Sequence, residues 1–428
     1  MVRVLLVSAN RTEVNMRTIP LGLACVATAV RHAGHAVQML DLMEAEDPAS
    51  TLASAIHTFE PEVIGISLRN IDDQNMRKPR FFLHEDYKII ELAKQFSKAI
   101  VVLGGAGYSI FPEAILAHSL ADMGIQGEGE DTFRLLLERL EGNQPLAGLP
   151  GLYVKGKGLQ GRKIYMNNLD QFPLPETDLF SGGPGQEKDA IVPVQSRRGC
   201  PMGCIYCSTR IIEGTKTRTR SPARFVEWVA QLNREGVRQL YVVDNTFNLP
   251  VPYAKDLCRE LIRASLNVSW RCIIYPWKMD EGLAADMAES GCIEASVGFE
   301  SGSNRMLKAM NKRFQREDVI RTCAVLKRQG IRRMGFLLLG GPGETRQSVE
   351  ESLAFADSLD LETLKITLGI RIYPQTALAR QANREHTIAS EDDLLFPKFY
   401  MTPGLEEWAR ETTMKYTENR PNWIVERQ

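Results

Sequence analysis

Three cysteines, Cys200, Cys204 and Cys207, stand together in the run RRGCPMGCIYC, close enough for their thiolates to face one point from a single loop. A cubane iron–sulfur cluster normally takes four cysteines, so three from one loop leave one iron open to an exogenous group. Gly199 and Gly203 relieve the steric limits on a backbone that must wrap around metals. A structural zinc site would need a fourth close Cys or His to complete its tetrahedron. No His lies between Ile191 and Arg380, which disfavours zinc. The other five cysteines, Cys25, Cys258, Cys272, Cys292 and Cys323, fall in apolar periodic segments and read as packing residues. Clustered thiols without a secretory signal point to a reducing, cytoplasmic compartment.

The elements that must position these residues are written as apolar runs alternating with helical patterns, the mark of an α/β chain. VRVLLVSA, AVQMLDLM, VIGISLR, AIVVLGG and MGIQGEG predict five strands of a parallel doubly wound, flavodoxin-like domain over residues 1–142. Between the first two, PLGLACVATAVRHAG predicts a helix that stops at Gly34. Residues 143–190 are rich in Gly and Pro and read as a linker with one hairpin. From Ile191 the alternation resumes with VPVQS, QLYVVDNTF, VSWRCIIYP, EASVGFES, RRMGFLLLG and TLKITLGIRIYP. Six strand–helix units predict a partial (β/α)6 barrel over residues 191–385, with its chemistry at the carboxyl ends of the strands. A small carboxy-terminal extension, residues 386–428, is apolar enough to pack.

Composition narrows the function. Lys and Arg number 52 against 53 Asp and Glu, so net charge advertises no nucleic acid partner. The amino-terminal run MVRVLLVSANRTEV is too short for a signal peptide or a membrane span. A nucleic acid partner would need a local basic patch.

The cysteine spacing, with Tyr206 just before the last thiol, closely resembles the signature of the radical S-adenosylmethionine (radical SAM) superfamily. VVDNTFN, VGFESGSNRMLKAMNK and GFLLLGGPGET match the part of that superfamily that follows a cobalamin domain. The resemblance implies that Cys200, Cys204 and Cys207 hold a 4Fe-4S cluster whose fourth iron chelates SAM, and that reduction cleaves SAM to a 5'-deoxyadenosyl radical. It also implies that Asp244 and Asn245 lie where relatives contact the SAM amino group, and that Glu300 reaches toward the ribose. Leu337, Leu339, Gly341 and Glu344 partly match the motif behind the adenine.

In the first domain PLGL, PEVIGISLRN, LGGAGYS and IQGEGED resemble cobalamin-binding domains fused to radical SAM barrels. Ser67, Leu68, Gly104 and Gly105 are then the counterparts of the residues that receive the nucleotide tail, and Gly127 and Glu128 lie near it. An acidic residue there also has a structural reason, since it opens a helix. The Asp-x-His-x-x-Gly motif that supplies a histidine to cobalt is absent, so none is expected on the metal. His32, His35, His57 and His118 read as surface or packing residues, and Asn10, Arg11, Arg69 and Asn70 are placed to approach the lower face of the corrin.

The function so implied is a cobalamin-dependent radical SAM methyltransferase that methylates an unactivated carbon, supplied with electrons by a donor such as flavodoxin or ferredoxin. Tyr275, Trp277, Arg371 and Tyr373, at strand ends, are expected to line the cavity between the domains and to suit an amphipathic or ring-bearing molecule. Rearrangement, cyclisation or oxygen insertion without methyl transfer is the alternative. Methylthiolation is disfavoured because only Cys25 precedes the cluster motif. A non-catalytic corrinoid or iron–sulfur sensor is the reading from another class.

Overall fold

Runs of Val, Ile and Leu with no polar alternation suit strands covered on both faces, and such runs build the two seven-stranded sheets of the protein. The computed structural model describes residues 1–12, 19–179 and 191–425. The final stretch of the expected linker, residues 180–190, lies outside the described residues.

The first sheet contains β1 (Arg3–Ser8), β2 (Ala36–Asp41), β3 (Val63–Ser67), β4 (Ile100–Gly104), β5 (Met123–Ile125), β6 (Leu152–Val154) and β7 (Gly158–Leu159). They lie in the order β2-β1-β3-β4-β5-β6-β7. The first five are parallel, and β6 and β7 add an antiparallel hairpin. This is the doubly wound order in which ligands sit beyond the carboxyl ends of the strands. Its helices are α1 (Leu21–His32), α2 (Pro48–Phe59), α3 (Leu83–Phe96), α4 (Ala106–Ile110), α5 (Pro112–His118) and α6 (Glu130–Glu141). Gly65 in β3 lets helix and sheet close up: a Cβ there would stand 2.5 Å from Leu6 and 3.3 Å from the Phe133 ring of α6.

The second sheet has the order β18-β15-β14-β13-β12-β11-β8. Along the chain come β8 (Ile191–Val194), β9 (Arg197–Arg198), α7 (Thr209–Ile212), β10 (Arg218–Thr219), α8 (Pro222–Arg234), β11 (Gln239–Val242), α9 (Val251–Ala264) and β12 (Ser269–Ile274). Next are α10 (Glu281–Glu289), β13 (Cys292–Glu300), α11 (Asn304–Ala309), α12 (Arg316–Arg328), β14 (Arg332–Leu339), α13 (Arg346–Ser358), β15 (Thr363–Leu368) and β16 (Ile370–Arg371). The tail supplies α14 (Ala377–Arg384), β17 (Phe399–Tyr400), α15 (Glu406–Thr417) and β18 (Trp423–Val425). The strands from β11 through β15 are joined in parallel, and β18 adds parallel to β15. Phe299, Leu307, Val319, Leu337, Leu339, Val349, Leu364 and Ile366 fill the core of this unit, and Cys200 and Cys204 pack against it.

The six expected strand–helix units are present, and β18 is a seventh strand that the sequence did not announce. Two short segments are exchanged between the compact units. One unit takes Met1–Asp73, Phe81–Val192 and Ile211–Gly214, and the other takes Gln74–Arg80, Pro193–Arg210 and Thr215–Gln428. Among the described residues no helix is long and apolar enough to cross a membrane.

Candidate active site

The cysteine loop leaves β8 through a buried polar corner. Asp244, at the exit of β11, accepts from Ser196 N at 2.8 Å, Ser196 Oγ at 2.5 Å, and Arg197 N and Nε both at 3.1 Å. Neither member of the Arg197–Asp244 pair has more than 1% of its side chain exposed. The Arg197 guanidinium also donates to the carbonyls of Thr246 and Leu249 and lies 4.6 Å from the Tyr253 ring. Both Asp244 oxygens are thereby engaged within the fold. The sequence placed Asp244 at SAM; the structure places it against the two residues that launch the loop.

Gly199 and Gly203 take φ of 84° and 74°, the left-handed region in which a Cβ is strained. The loop hangs from the segment after α11. Asn311 Nδ2 donates to Gly203 O at 2.7 Å, Arg313 Nη2 to Pro201 O at 3.0 Å, and Ile205 N to Met310 O at 3.3 Å. From the tail, Leu378 N donates to Ile205 O at 2.9 Å. None of the three loop cysteines is in a disulfide, and all three are half-buried. Among the described residues no three His, Cys, Asp or Glu side chains converge on a single metal ion. A cubane does not require that, because each thiolate takes its own iron.

Beside Cys204 lies a cation that sequence reasoning did not single out. Lys312 is buried, and its ammonium donates to Tyr206 Oη at 2.9 Å and to Glu300 Oε1 at 3.2 Å. Burial pushes the Cys204 thiol up, and the Lys312 charge opposes that push without cancelling it. Lys312 itself stays protonated: burial works against its charge, but Glu300 and Tyr206 hold it well above the usual lysine range. Arg305, Lys308, Asn311 and Arg313 stand in the same run, so no pattern in the sequence set Lys312 apart. Three thiols on a braced loop, with a buried cation bonded to the tyrosine between two of them, suit an anionic thiolate-bound cluster.

Glu300 ends β13 with φ of 63°, at a register shift against β14 between Gly298 and Glu300. A carboxylate residue in this region costs of order 1 kcal/mol and persists where its surroundings fix it. Here Ser352 Oγ receives Gly302 N at 3.0 Å and lies 3.0 Å from Ser301 Oγ, and a Cβ on Gly302 would stand 2.5 Å from Phe355. Asn245 meets the loop from β11 through Thr209, whose Oγ1 lies 3.3 Å from both Asn245 Oδ1 and Cys207 Sγ. Cys207, Asn245, Glu300 and Lys312 therefore belong to one connected group around the loop.

The other barrel candidates separate. Gly341 closes the turn after β14, where its carbonyl accepts from Thr402 Oγ1 at 2.7 Å and a Cβ would stand 3.0 Å from Met310. Glu344 is buried and accepts from Gly340 N at 3.3 Å, and burial pushes its carboxyl up. Tyr275 joins the cluster side: its hydroxyl accepts from Arg313 N at 2.8 Å, and Lys312 lies 5.7 Å from its ring. Arg371, expected to line the cavity, instead donates to the carbonyls of Ile372 and Leu394 at 2.6 and 2.8 Å and is 4% exposed. It binds the tail to the barrel, and Tyr373 stacks beside it at 5.1 Å.

In the first unit the exits of β3 and β4 interlock. Leu68 N donates to Gly104 O, and Gly107 N to Leu68 O, both at 2.9 Å. Gly105 has φ of 96°, and a Cβ there would meet Leu68 O at 2.5 Å and Ser67 Oγ at 2.9 Å. A Cβ added at Gly104 would meet nothing within 4 Å, so its α-carbon faces open space. At the exits of β1 and β3, Asn10 Nδ2 and Arg69 Nη1 are buried without a hydrogen-bond partner. Burial draws the Arg69 guanidinium below its usual range. Buried donors left unmade are costly, so this end of the sheet suits a ligand rich in carbonyl and phosphate oxygens, as cobalamin is. Gly127 N donates to Ser109 Oγ at 2.9 Å, and Glu128 accepts from Met166 N at 3.0 Å. His35 accepts from Val2 N at 3.2 Å, at the amino end of the sheet, and His118 bonds its own helix.

Comparison with known proteins agrees with this arrangement. Residues 7–137 match the B12 binding domain, and residues 194–356 match the radical SAM superfamily. The chain is 30% identical over 380 residues to the uncharacterized methyltransferase PH0819 of Pyrococcus horikoshii, covering 87% of this chain and 80% of that one. It is 24% identical to the tryptophan 2-C-methyltransferase of Streptomyces laurentii, over 87% of this chain and 73% of the relative. In fold it is similar to TsrM from Kitasatospora setae, solved with cobalamin and a [4Fe-4S] cluster, with a TM-score of 0.90 at 21% identity over 99% of this chain and 93% of that one. The chain therefore belongs to the radical SAM enzymes of the methyltransferase type that carry a B12-binding domain.

Proposed function

We propose that this protein is a cobalamin-dependent radical SAM methyltransferase that methylates an unactivated carbon of a small molecule. The observation that carries the reading is the braced loop of Cys200, Cys204 and Cys207, in a chain whose first unit has a doubly wound sheet with unpartnered donors at its carboxyl end. When bound, the cluster, SAM and cobalamin supply a hydrogen-abstracting radical and a methyl group. The chain's own residues hold them. Cys200, Cys204 and Cys207 take the cluster; Asn245 and Glu300 are placed to meet SAM; Ser67, Leu68, Gly104, Gly105, Gly127 and Glu128 serve the corrinoid tail. Asp244 acts as a positioning residue for the loop, and Tyr275 is the cavity candidate that stands nearest the cluster group. The enzyme works in the cytoplasm with a flavodoxin or ferredoxin as one-electron donor. A relative named for tryptophan methylation supports a ring-bearing substrate.

Product stoichiometry tests the proposal. Anaerobically reconstituted enzyme, given SAM, cobalamin and metabolite extracts, is expected to form S-adenosylhomocysteine and 5'-deoxyadenosine in near-equal amounts, with one methyl gained per turnover by mass spectrometry. Modified substrate with 5'-deoxyadenosine but no S-adenosylhomocysteine would replace methyl transfer with rearrangement.

A further inference from the structure

Lys312 donates to one carboxylate and one phenol, Glu300 Oε1 at 3.2 Å and Tyr206 Oη at 2.9 Å, the phenol belonging to the residue between Cys204 and Cys207. The side chain is 4% exposed, and the rings of Tyr206, Tyr275 and Phe314 lie 5.3, 5.7 and 5.9 Å from the nitrogen. A buried ion pair is seldom a net gain in stability over well-packed apolar side chains, so stability alone does not account for it. The pair is also asymmetric, since it is the ammonium that bonds to the tyrosine of the cysteine loop.

We infer that the Lys312–Glu300 pair sets the reduction potential of the iron–sulfur cluster, Lys312 raising it and Glu300 lowering it. This rests on the cluster reading given above and deepens it. Reduction adds one electron from an external donor to a group already carrying thiolate charge, and no bond forms or breaks. A fixed cation bonded to the tyrosine of the cluster loop stabilises the added charge, because cluster potentials follow net charge and local surroundings. A nearby carboxylate opposes it. The water-poor surroundings of the pair leave both effects weakly screened. Tyr206 keeps the ammonium oriented but contributes no charge.

The test is a mediated dithionite titration of the full chain, reconstituted with iron and sulfide and free of SAM and cobalamin, read by electron paramagnetic resonance of the reduced cluster. Lys312→Gln is expected to lower the reduction equilibrium constant about tenfold, or about 59 mV for a one-electron couple. Glu300→Gln is expected to shift it in the opposite direction, and Lys312→Arg to stay near the wild type. A merely structural pair would disturb both variants in the same direction. Shifts of equal sign, or a change below twofold in both, would overturn the inference. Should Lys312→Gln fail to take up iron, the upward shift in Glu300→Gln decides alone. Iron analysis of a Cys200→Ala, Cys204→Ala, Cys207→Ala protein keeps the two questions apart: a retained cluster there refutes the cluster reading itself.

Discussion

At the scale of single residues, the chemistry was legible where it resides in spacing and hidden where it resides in proximity. Cys200, Cys204 and Cys207 are neighbours in sequence, so their shared loop could be read directly. Asp244 was singled out only by its resemblance to a position that meets SAM in relatives, and its partners Ser196 and Arg197 precede it by 48 and 47 residues. No periodicity links them. Lys312 was missed for the same reason, as its partners Tyr206 and Glu300 come from other elements. The Arg197–Asp244 corner makes a prediction of its own. Asp244→Asn leaves a guanidinium buried without its counter-charge, and removing one partner of such a pair costs about 3–5 kcal/mol. Urea denaturation of the reconstituted protein measures the loss. A cost below about 1 kcal/mol, smaller than a single ordinary hydrogen bond, would show that the corner does not depend on charge.

At the scale of elements, parallel strands announce themselves because both faces are covered and the apolar runs are nearly continuous. β1 through β5 and the strands β8 and β11 through β15 were all visible in this way. The hairpin of β6 and β7 was signalled by its glycines. β18 was not, because three residues are too few to show a period. The turn joining β4 to α4 sets two adjacent glycines apart by geometry that sequence cannot supply. A methyl added at Gly105 meets backbone at 2.5 Å in a left-handed conformation, whereas one added at Gly104 meets nothing within 4 Å. Gly105→Ala is therefore expected to destabilise the first unit by more than about 1 kcal/mol. Gly104→Ala is expected to fold normally and to lose cobalamin uptake, since its methyl would occupy the space proposed for the tail. Equilibrium binding of cobalamin with parallel thermal unfolding measures both, and normal uptake by Gly104→Ala would remove that glycine from the site.

At the scale of the whole molecule, both sheet orders followed from the alternation of strands and helices, while the way the tail completes the second sheet did not. β18 pairs with β15 through Leu364 and Trp423, and Asn422 adds bonds in both directions, to Leu364 N at 3.0 Å and to Leu361 O at 2.8 Å. Trp423 stacks on Tyr416 at 6.3 Å, and Arg420 ties the same stretch to Asp357 at 2.6 Å. The edge strand that borders β15 is thus synthesised after every other strand of this sheet. A ribosome carrying a nascent chain that has reached α15 holds a sheet whose β15 edge is bare, and a bare parallel edge recruits other strands. A chain stopped at Glu418 should reproduce that state: its soluble fraction after expression is expected to fall sharply, and wild-type solubility would mean that the edge is shielded by something other than β18. Chaperone dependence during translation, and not in the finished enzyme, is where a weak tail would first be felt.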